Sequence, residues 1–74
     1  MLELPIISGD KCISALERIG YWVARIKGSH VRMRCTGRRP VTVPKHDELD
    51  RGTLRSILRT ADVSVEEFIK LLRG

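Results

Sequence analysis

The side chain best suited to chemistry in this sequence is His30, which sits in a run of basic residues. Lys27 lies three positions before it, and Arg32 and Arg34 lie two and four positions after it. A free imidazole has a pKa of about 6.5, so it can accept or release a proton at neutral pH. Arginine and lysine stabilise negative charge that develops on phosphoryl oxygens. The grouping suits abstraction of a ribose 2′-hydroxyl proton, although an exposed histidine with no chemical role remains the alternative.

The positive charge of the chain is concentrated around this histidine. The 74 residues hold 14 lysines and arginines against 9 acids, a formal net charge of +5. Residues 21–46 contain seven of these bases and no acid. Such a stretch attracts a polyanion, most commonly a phosphodiester backbone. A solvated face that only keeps the protein soluble is the alternative, but the excess of arginine over lysine favours bidentate contact with phosphate.

Other chemistries find little support in the residue spacing. The possible metal ligands His30, His46, Cys12 and Cys35 show none of the close pair spacings of zinc sites. Ser29 adjoins His30, and neighbouring strand residues point to opposite faces, so a serine–histidine pair is excluded. No glycine-rich nucleotide-binding loop is present. We therefore expect neither a metal nor a cofactor.

Length and hydropathy restrict the class of protein further. A chain of 74 residues is expected to form a single domain over 1–74, without a deep cleft between domains. Its longest apolar run spans residues 21–24, whereas a membrane helix needs about 20 residues. The first residues lack the basic and apolar segments of a signal peptide. We expect a cytoplasmic protein without membrane contact and with reduced cysteines.

Hydrophobic periodicity predicts both helices and strands along the chain. Ile13, Leu16 and Ile19 repeat at helical spacing, and Gly20 is well placed to end that helix. The predicted elements are a helix over 8–19, strands over 21–27, 30–35 and 40–43 joined by turns over 28–29 and 36–39, and two helices that begin after Asp50 and Ser64. The order is α-β-β-β-α-α.

Alternation along the second strand predicts which face of the sheet is covered. Val31, Met33 and Cys35 point to one side, and the opposite side carries His30, Arg32 and Arg34. The fold class is therefore α+β, a three-stranded antiparallel sheet with its helices on one face. The aromatic residues are expected to pack in the core; they are Tyr21, Trp22 and Phe68.

Three motifs together resemble a known family. Residues 25–30 (Arg-Ile-Lys-Gly-Ser-His), 41–46 (Val-Thr-Val-Pro-Lys-His) and 52–58 (Gly-Thr-Leu-Arg-Ser-Ile-Leu) resemble segments of the HicA toxins, also called the YcfA-like family. The motifs occur in the same order and at the same separations, and the end of the first helix over 16–21 fits as well. The resemblance extends over roughly residues 6–72.

The resemblance implies a fold, an activity and a partner. HicA proteins look like double-stranded-RNA-binding domains, and they are small ribonucleases that cut mRNA. The catalytic histidine of the family falls on His30. A HicB antitoxin neutralises such toxins by covering the catalytic face, and the operator-binding domain belongs to the antitoxin. Direct binding of operator DNA is therefore not expected of this chain.

The site predicted from these considerations has His30 as general acid or base. The expected phosphate contacts are Lys27, Arg32, Arg34, Arg38 and Arg39, with Arg25, Lys45 and His46 as secondary contacts. The predicted RNA-binding set also includes the turn residues Gly28 and Ser29. One alternative is a non-catalytic RNA-binding module of the same fold, which differs only in whether His30 performs chemistry. A weaker alternative is a protein-interaction domain that binds an acidic partner.

Overall fold

The computed structural model describes residues 3–74 of the chain. The elements are α1 (Gly9–Glu17), β1 (Trp22–Lys27), β2 (His30–Cys35), β3 (Arg38–Pro44), α2 (Arg51–Ala61) and α3 (Val65–Arg73). The three strands form one antiparallel sheet in the order β1-β2-β3. The predicted order of elements is therefore confirmed.

Each helix begins at a polar residue that satisfies a free backbone N–H. The side-chain oxygens of Ser8, Asp50 and Ser64 each accept a hydrogen bond from the amide three residues later. Asp50 also accepts from the hydroxyl of Thr53 at 2.9 Å. Hydrogen bonding, led by the backbone N–H of Thr53, lowers the pKa of Asp50. The starts predicted for α2 and α3 are confirmed.

Glycine conformations determine where β3 begins. Gly37 has a φ of 81°, a left-handed value that side-chain-bearing residues rarely adopt. The chain consequently reverses within residues 36–37, and Arg38 pairs with Cys35 in the sheet. The predicted turn over 36–39 was too long, and β3 starts two residues earlier than the sequence indicated.

The first helix is shorter than predicted, because it ends at Glu17.

The helices cover one face of the sheet and form the core with it. Helix α2 packs on β3, while α1 packs on α3 and β3. Val31 and Met33 of β2 are buried beneath them, together with Val41 and Val43 of β3. Phe68 of α3 is fully buried in the same core. The predicted division of β2 into a covered and an open side is confirmed.

Strand β1 departs from the predicted core. Tyr21, just before it, is buried, and its hydroxyl donates to the carbonyl of Arg39 at 2.8 Å. Trp22, however, is 49% exposed, so its predicted core position was wrong. The physical reason is its pairing with Arg34, which places it on the open side of the sheet.

The arrangement is that of a double-stranded-RNA-binding domain with one further helix at its C-terminal side. None of the helices in residues 3–74 has the length and apolar character needed to cross a lipid bilayer. The open face of the sheet is the large surface that the fold presents to a ligand.

A close backbone contact fixes the start of α1 against the end of β3. The N–H of Gly9 donates to the carbonyl of His46 at 2.9 Å, and a Cβ at position 9 would collide with the carbonyl oxygen of Pro44. We expect Gly9→Ala to destabilise the fold by about 1–3 kcal/mol, because rigid backbone must move. Urea or thermal unfolding measures the change.

A matched control uses the same substitution in α2. A Cβ on Gly52 would meet only a carboxylate oxygen of Asp50 at an ordinary 3.5 Å. We expect Gly52→Ala to be neutral or stabilising by up to about 1 kcal/mol, since alanine favours the helix. Equal stability of the two variants would contradict the proposed contact at Gly9.

Candidate nucleic-acid interface

Strand register brings the predicted site residues together on the open face of the sheet. Across β1 and β2, Lys27 lies opposite His30 and Arg25 opposite Arg32. Side chains opposite each other in an antiparallel pair have Cβ atoms about 5 Å apart and share one face. The cations of two strands therefore lie beside the imidazole.

The turn between β1 and β2 fixes the position of His30. Gly28 has a φ of 58°, whereas Ser29 does not adopt a positive φ, which is typical of a type II′ turn. His30 is consequently the first residue of β2, opposite Pro44 of β3. The backbone N–H of Lys45 donates to the carbonyl of Ser29 at 2.6 Å and ties the turn to the end of β3. The turn formed by Gly28 and Ser29 thus fixes the position of His30 between the end of β1 and the end of β3.

His30 lies in an open depression of about 390 Å³ on this face. The depression is lined by Ala24, Arg25, Lys27, His30, Arg32, Arg34 and Thr42. Within residues 3–74 the ion pairs are Lys45 with Asp10 and Lys70 with Glu66, so no carboxylate neutralises the cations of the depression. This surface attracts anions, and it presents the exposed imidazole of His30 among its cations.

A neutral partner holds one of these cations in place. The Nη1 atom of Arg32 donates to Oγ1 of Thr42 at 3.0 Å across β2 and β3. This bond orients the guanidinium without cancelling its charge. Thr42 was not among the predicted site residues, although alternation with the buried Val41 and Val43 would have placed it on the open face.

Arg38 and Arg39 lie away from His30. The Nη1 atom of Arg38 donates to the carbonyls of Ala61 and Asp62 at 2.6 and 3.2 Å. These carbonyls end α2, where the helix dipole favours a cation. Both arginines line a second, larger depression of about 550 Å³, which also includes Arg59. The structure therefore does not bring these two predicted contacts to the histidine.

The remaining predicted contacts, Lys45 and His46, also lie outside the His30 depression. The Nζ atom of Lys45 is 3.6 Å from a carboxylate oxygen of Asp10, and both side chains are exposed. His46 is exposed in the loop that follows β3. Its backbone carbonyl, not its imidazole, makes the contact with Gly9.

The thiols are remote from this chemistry, and no ligand cluster accompanies the histidines. In the described residues 3–74, no group of three or more His, Cys, Asp or Glu side chains is placed to hold a metal ion. Cys12 is a free thiol in the core, where burial raises its pKa to about 12. Cys35 is half-buried, and its thiol donates to the carbonyl of Ile19 at 3.7 Å.

Substitution of Arg38 and of Arg39, which are adjacent in β3, tests whether only Arg38 stabilises the end of α2. We expect Arg38→Ala to destabilise the fold by about 1–3 kcal/mol, because it leaves the last carbonyls of α2 without a charged donor. Arg39→Ala is the matched control and should change stability by less than about 0.5 kcal/mol, since its exposed side chain makes no hydrogen bond in the described structure. Chemical denaturation of both variants measures this difference; equal losses would contradict the capping role of Arg38.

Comparison with known proteins identifies the family. The model of the HicA toxin of bacterial toxin–antitoxin systems matches residues 9–63. A solved structure described as a toxin–antitoxin complex from Streptococcus pneumoniae contains a chain that is 33% identical, with a TM-score of 0.68. That match covers 77% of this chain and 98% of the other. A search of curated proteins gave no match. The match over residues 9–63, on the fold and basic sheet face described above, shows that this chain belongs to the HicA toxin family.

Proposed function

We propose that this chain is an endoribonuclease toxin that cuts mRNA with His30 and without a metal ion. The observation that carries the proposal is an exposed imidazole in a depression whose charged lining is entirely cationic. Membership of the HicA toxin family supports a toxin role. The basic sheet face adds the substrate class, because a phosphodiester chain is the polyanion that such a face most commonly meets.

The cations of the depression bind the phosphates on either side of the cut. Arg25 and Arg32 lie opposite each other, so two like charges are held close together. An anionic ligand relieves that repulsion, and arginine can donate two parallel hydrogen bonds to one phosphate. The hydrogen bond from Arg32 to Thr42 leaves other N–H groups of the guanidinium available.

The imidazole performs the proton transfer. His30 takes the proton of a ribose 2′-hydroxyl, and the 2′-oxygen forms a bond to the adjacent phosphorus. The bond from phosphorus to the 5′-oxygen breaks, and that oxygen takes up a proton. The products are a 2′,3′-cyclic phosphate and a 5′-hydroxyl. Arg32 and Arg34 stabilise the charge that develops on the phosphoryl oxygens.

Charge reversal on β2 tests RNA binding. We expect Arg32→Glu with Arg34→Glu to abolish measurable binding of a 2′-O-methyl RNA, which cannot be cleaved, while the fold survives. For single neutral substitutions, such as Arg34→Gln, the slope of log K against log salt should fall by about 1 per lost phosphate contact. Fluorescence anisotropy over a salt series measures both quantities.

The matched control for this test is on α2. Arg51→Glu with Arg55→Glu makes the same change of charge on an exposed helix surface outside the His30 depression. It should weaken binding less, through long-range electrostatics only. Unchanged RNA affinity in a folded β2 variant would contradict binding at the sheet face.

Replacement of the histidine tests the chemical step. We expect His30→Ala to slow RNA cleavage by roughly 10²–10⁴-fold, the usual contribution of a proton-transfer group. Because the side chain is exposed, stability should change by less than about 0.5 kcal/mol. The measurement is cleavage of RNA by the purified protein in excess EDTA, with analysis of the fragment ends.

His46→Ala is the matched control, because it removes the other exposed histidine and should leave cleavage nearly unchanged. Full activity of His30→Ala would refute the role of His30 and favour a non-catalytic RNA-binding module. Wild-type activity that is lost in EDTA and restored by magnesium would refute the metal-free route.

We further infer that the toxin is held inactive by an antitoxin protein. The related structure from Streptococcus pneumoniae is described as a toxin–antitoxin complex, which supports a partner of this kind. A cationic depression without internal neutralisation is well matched by acidic side chains. A structure of the complex that leaves His30 and Arg32 open to solvent would contradict this inference.

A further inference from the structure

Strand β1 is the least protected element of the fold. All six of its residues are exposed, whereas β2 and β3 each bury two. Among the described elements its extensive contacts are with β2, because the helices pack against β3 and against each other. β1 is also an edge strand, so one side of its backbone has no strand partner.

The exposed apolar side chains of the molecule are concentrated on this strand. In residues 3–74 the most exposed large hydrophobic residues are Ile6, Trp22, Val23 and Ile26, and three of these four belong to β1. Val23 and Ile26 pair with the buried Met33 and Val31, so they lie on the helix side of the sheet beside the core. They remain 38% and 60% exposed, and the helices make their extensive contacts with β3 and with each other rather than with β1. Apolar side chains grouped in this way mark an interaction surface.

The backbone of β1 offers hydrogen bonds at the same place. Lys27 and His30 flank a two-residue turn, so they form the hydrogen-bonded pair that closes the hairpin. Bonding alternates along an antiparallel pair, and the N–H and C=O of Ile26 therefore point away from β2 toward the free edge. An edge of this kind is a template for an added strand.

We propose that a strand of the antitoxin adds to the free edge of β1. Its apolar side chains cover Val23 and Ile26, and acidic side chains on its other face meet Arg25 and Lys27. The expected partner segment alternates apolar and acidic residues, because successive side chains of a strand point to opposite faces. The identity of the partner rests on the proposed function, whereas the docking edge rests on the exposure of β1.

This docking mode would also silence the site. Arg25 and Lys27 belong both to β1 and to the lining of the His30 depression. An acidic strand beside them neutralises two of the cations that RNA needs. Inhibition therefore does not require the antitoxin to fill the whole depression.

A second copy of this chain is a poorer occupant of the edge. Pairing of β1 with β1 would bring Arg25 and Lys27 near the same cations of the other copy, and like charges across a strand pair are destabilising. RNA is also a poorer occupant, because the side of the sheet that carries Val23 and Ile26 is apolar.

The test measures binding of the purified chain to a HicB-like antitoxin, which is to be sought in the reading frame next to that of this chain. We expect Ile26→Glu to weaken binding roughly 100-fold, since it places an unpaired charge in the interface centre. The matched control is Ile6→Glu, the same change at an isoleucine that is 73% exposed and lies outside β1; it should leave affinity within about threefold of wild type. Circular dichroism verifies that both variants are folded.

A second measurement needs no substitution. The amide of Ile26 in the wild-type chain should exchange with solvent at least about tenfold more slowly when the antitoxin is bound, as followed by NMR. Unchanged antitoxin affinity of Ile26→Glu, or an unprotected Ile26 amide in the complex, would overturn the proposal. A wild-type homodimer that Ile26→Glu dissociates would assign the edge to a second copy and overturn it as well.

RNA cleavage by the free variants separates this proposal from the proposed function. Ile26→Glu without antitoxin should cleave RNA like wild type, because Ile26 does not line the His30 depression. Failure of His30→Ala to reduce cleavage would refute the catalytic role and leave the docking result standing. A loss of RNA binding by Ile26→Glu as large as that of Arg32→Glu with Arg34→Glu would assign the edge to RNA and overturn the docking proposal.

Discussion

The burial of Val31 and Met33 under the helices holds His30, Arg32 and Arg34 on the opposite side of the same strand. A strand has a side-chain period of two, so a shift of one residue would exchange the two sets. The apolar contacts of β2 with the core therefore fix the direction of its polar residues. Because the helices are packed on one face only, the other face stays open for a ligand along its full width.

The charge of the open face is a destabilising feature that the core must offset. Arg25 lies opposite Arg32, and no carboxylate in the described residues pairs with either. Acidic residues are present elsewhere on the surface, for example Asp10 beside Lys45. The lack of a carboxylate is therefore a property of the His30 depression and not of the whole surface. Uncompensated cations around an imidazole suit a phosphate ligand better than they suit stability.

Local rules predicted the parts of the fold that depend on neighbouring residues. The sequence was sufficient to predict the helix caps at Asp50 and Ser64 and the alternation of β2, because each involves residues only a few positions apart. The exposure of Trp22 could not be predicted, since it depends on an irregular register between Val23 and Arg25 that puts Trp22 on the open face. The capping of α2 by Arg38 could not be predicted either, since it depends on where the helix packs across the sheet. For the site, charge clustering identified the residues of β1 and β2. It also included Arg38 and Arg39, which tertiary structure carries to the far end of the sheet.

The most direct measurement of the chemistry uses an RNA that lacks a single oxygen. An oligonucleotide with 2′-deoxyribose only at the cleaved position is incubated with the wild-type protein in EDTA, beside the all-ribose oligonucleotide. If His30 activates the 2′-hydroxyl, the modified RNA will bind with similar affinity but will not be cut at that position. Cleavage of both oligonucleotides there at the same rate would contradict a reaction that proceeds through the 2′-oxygen.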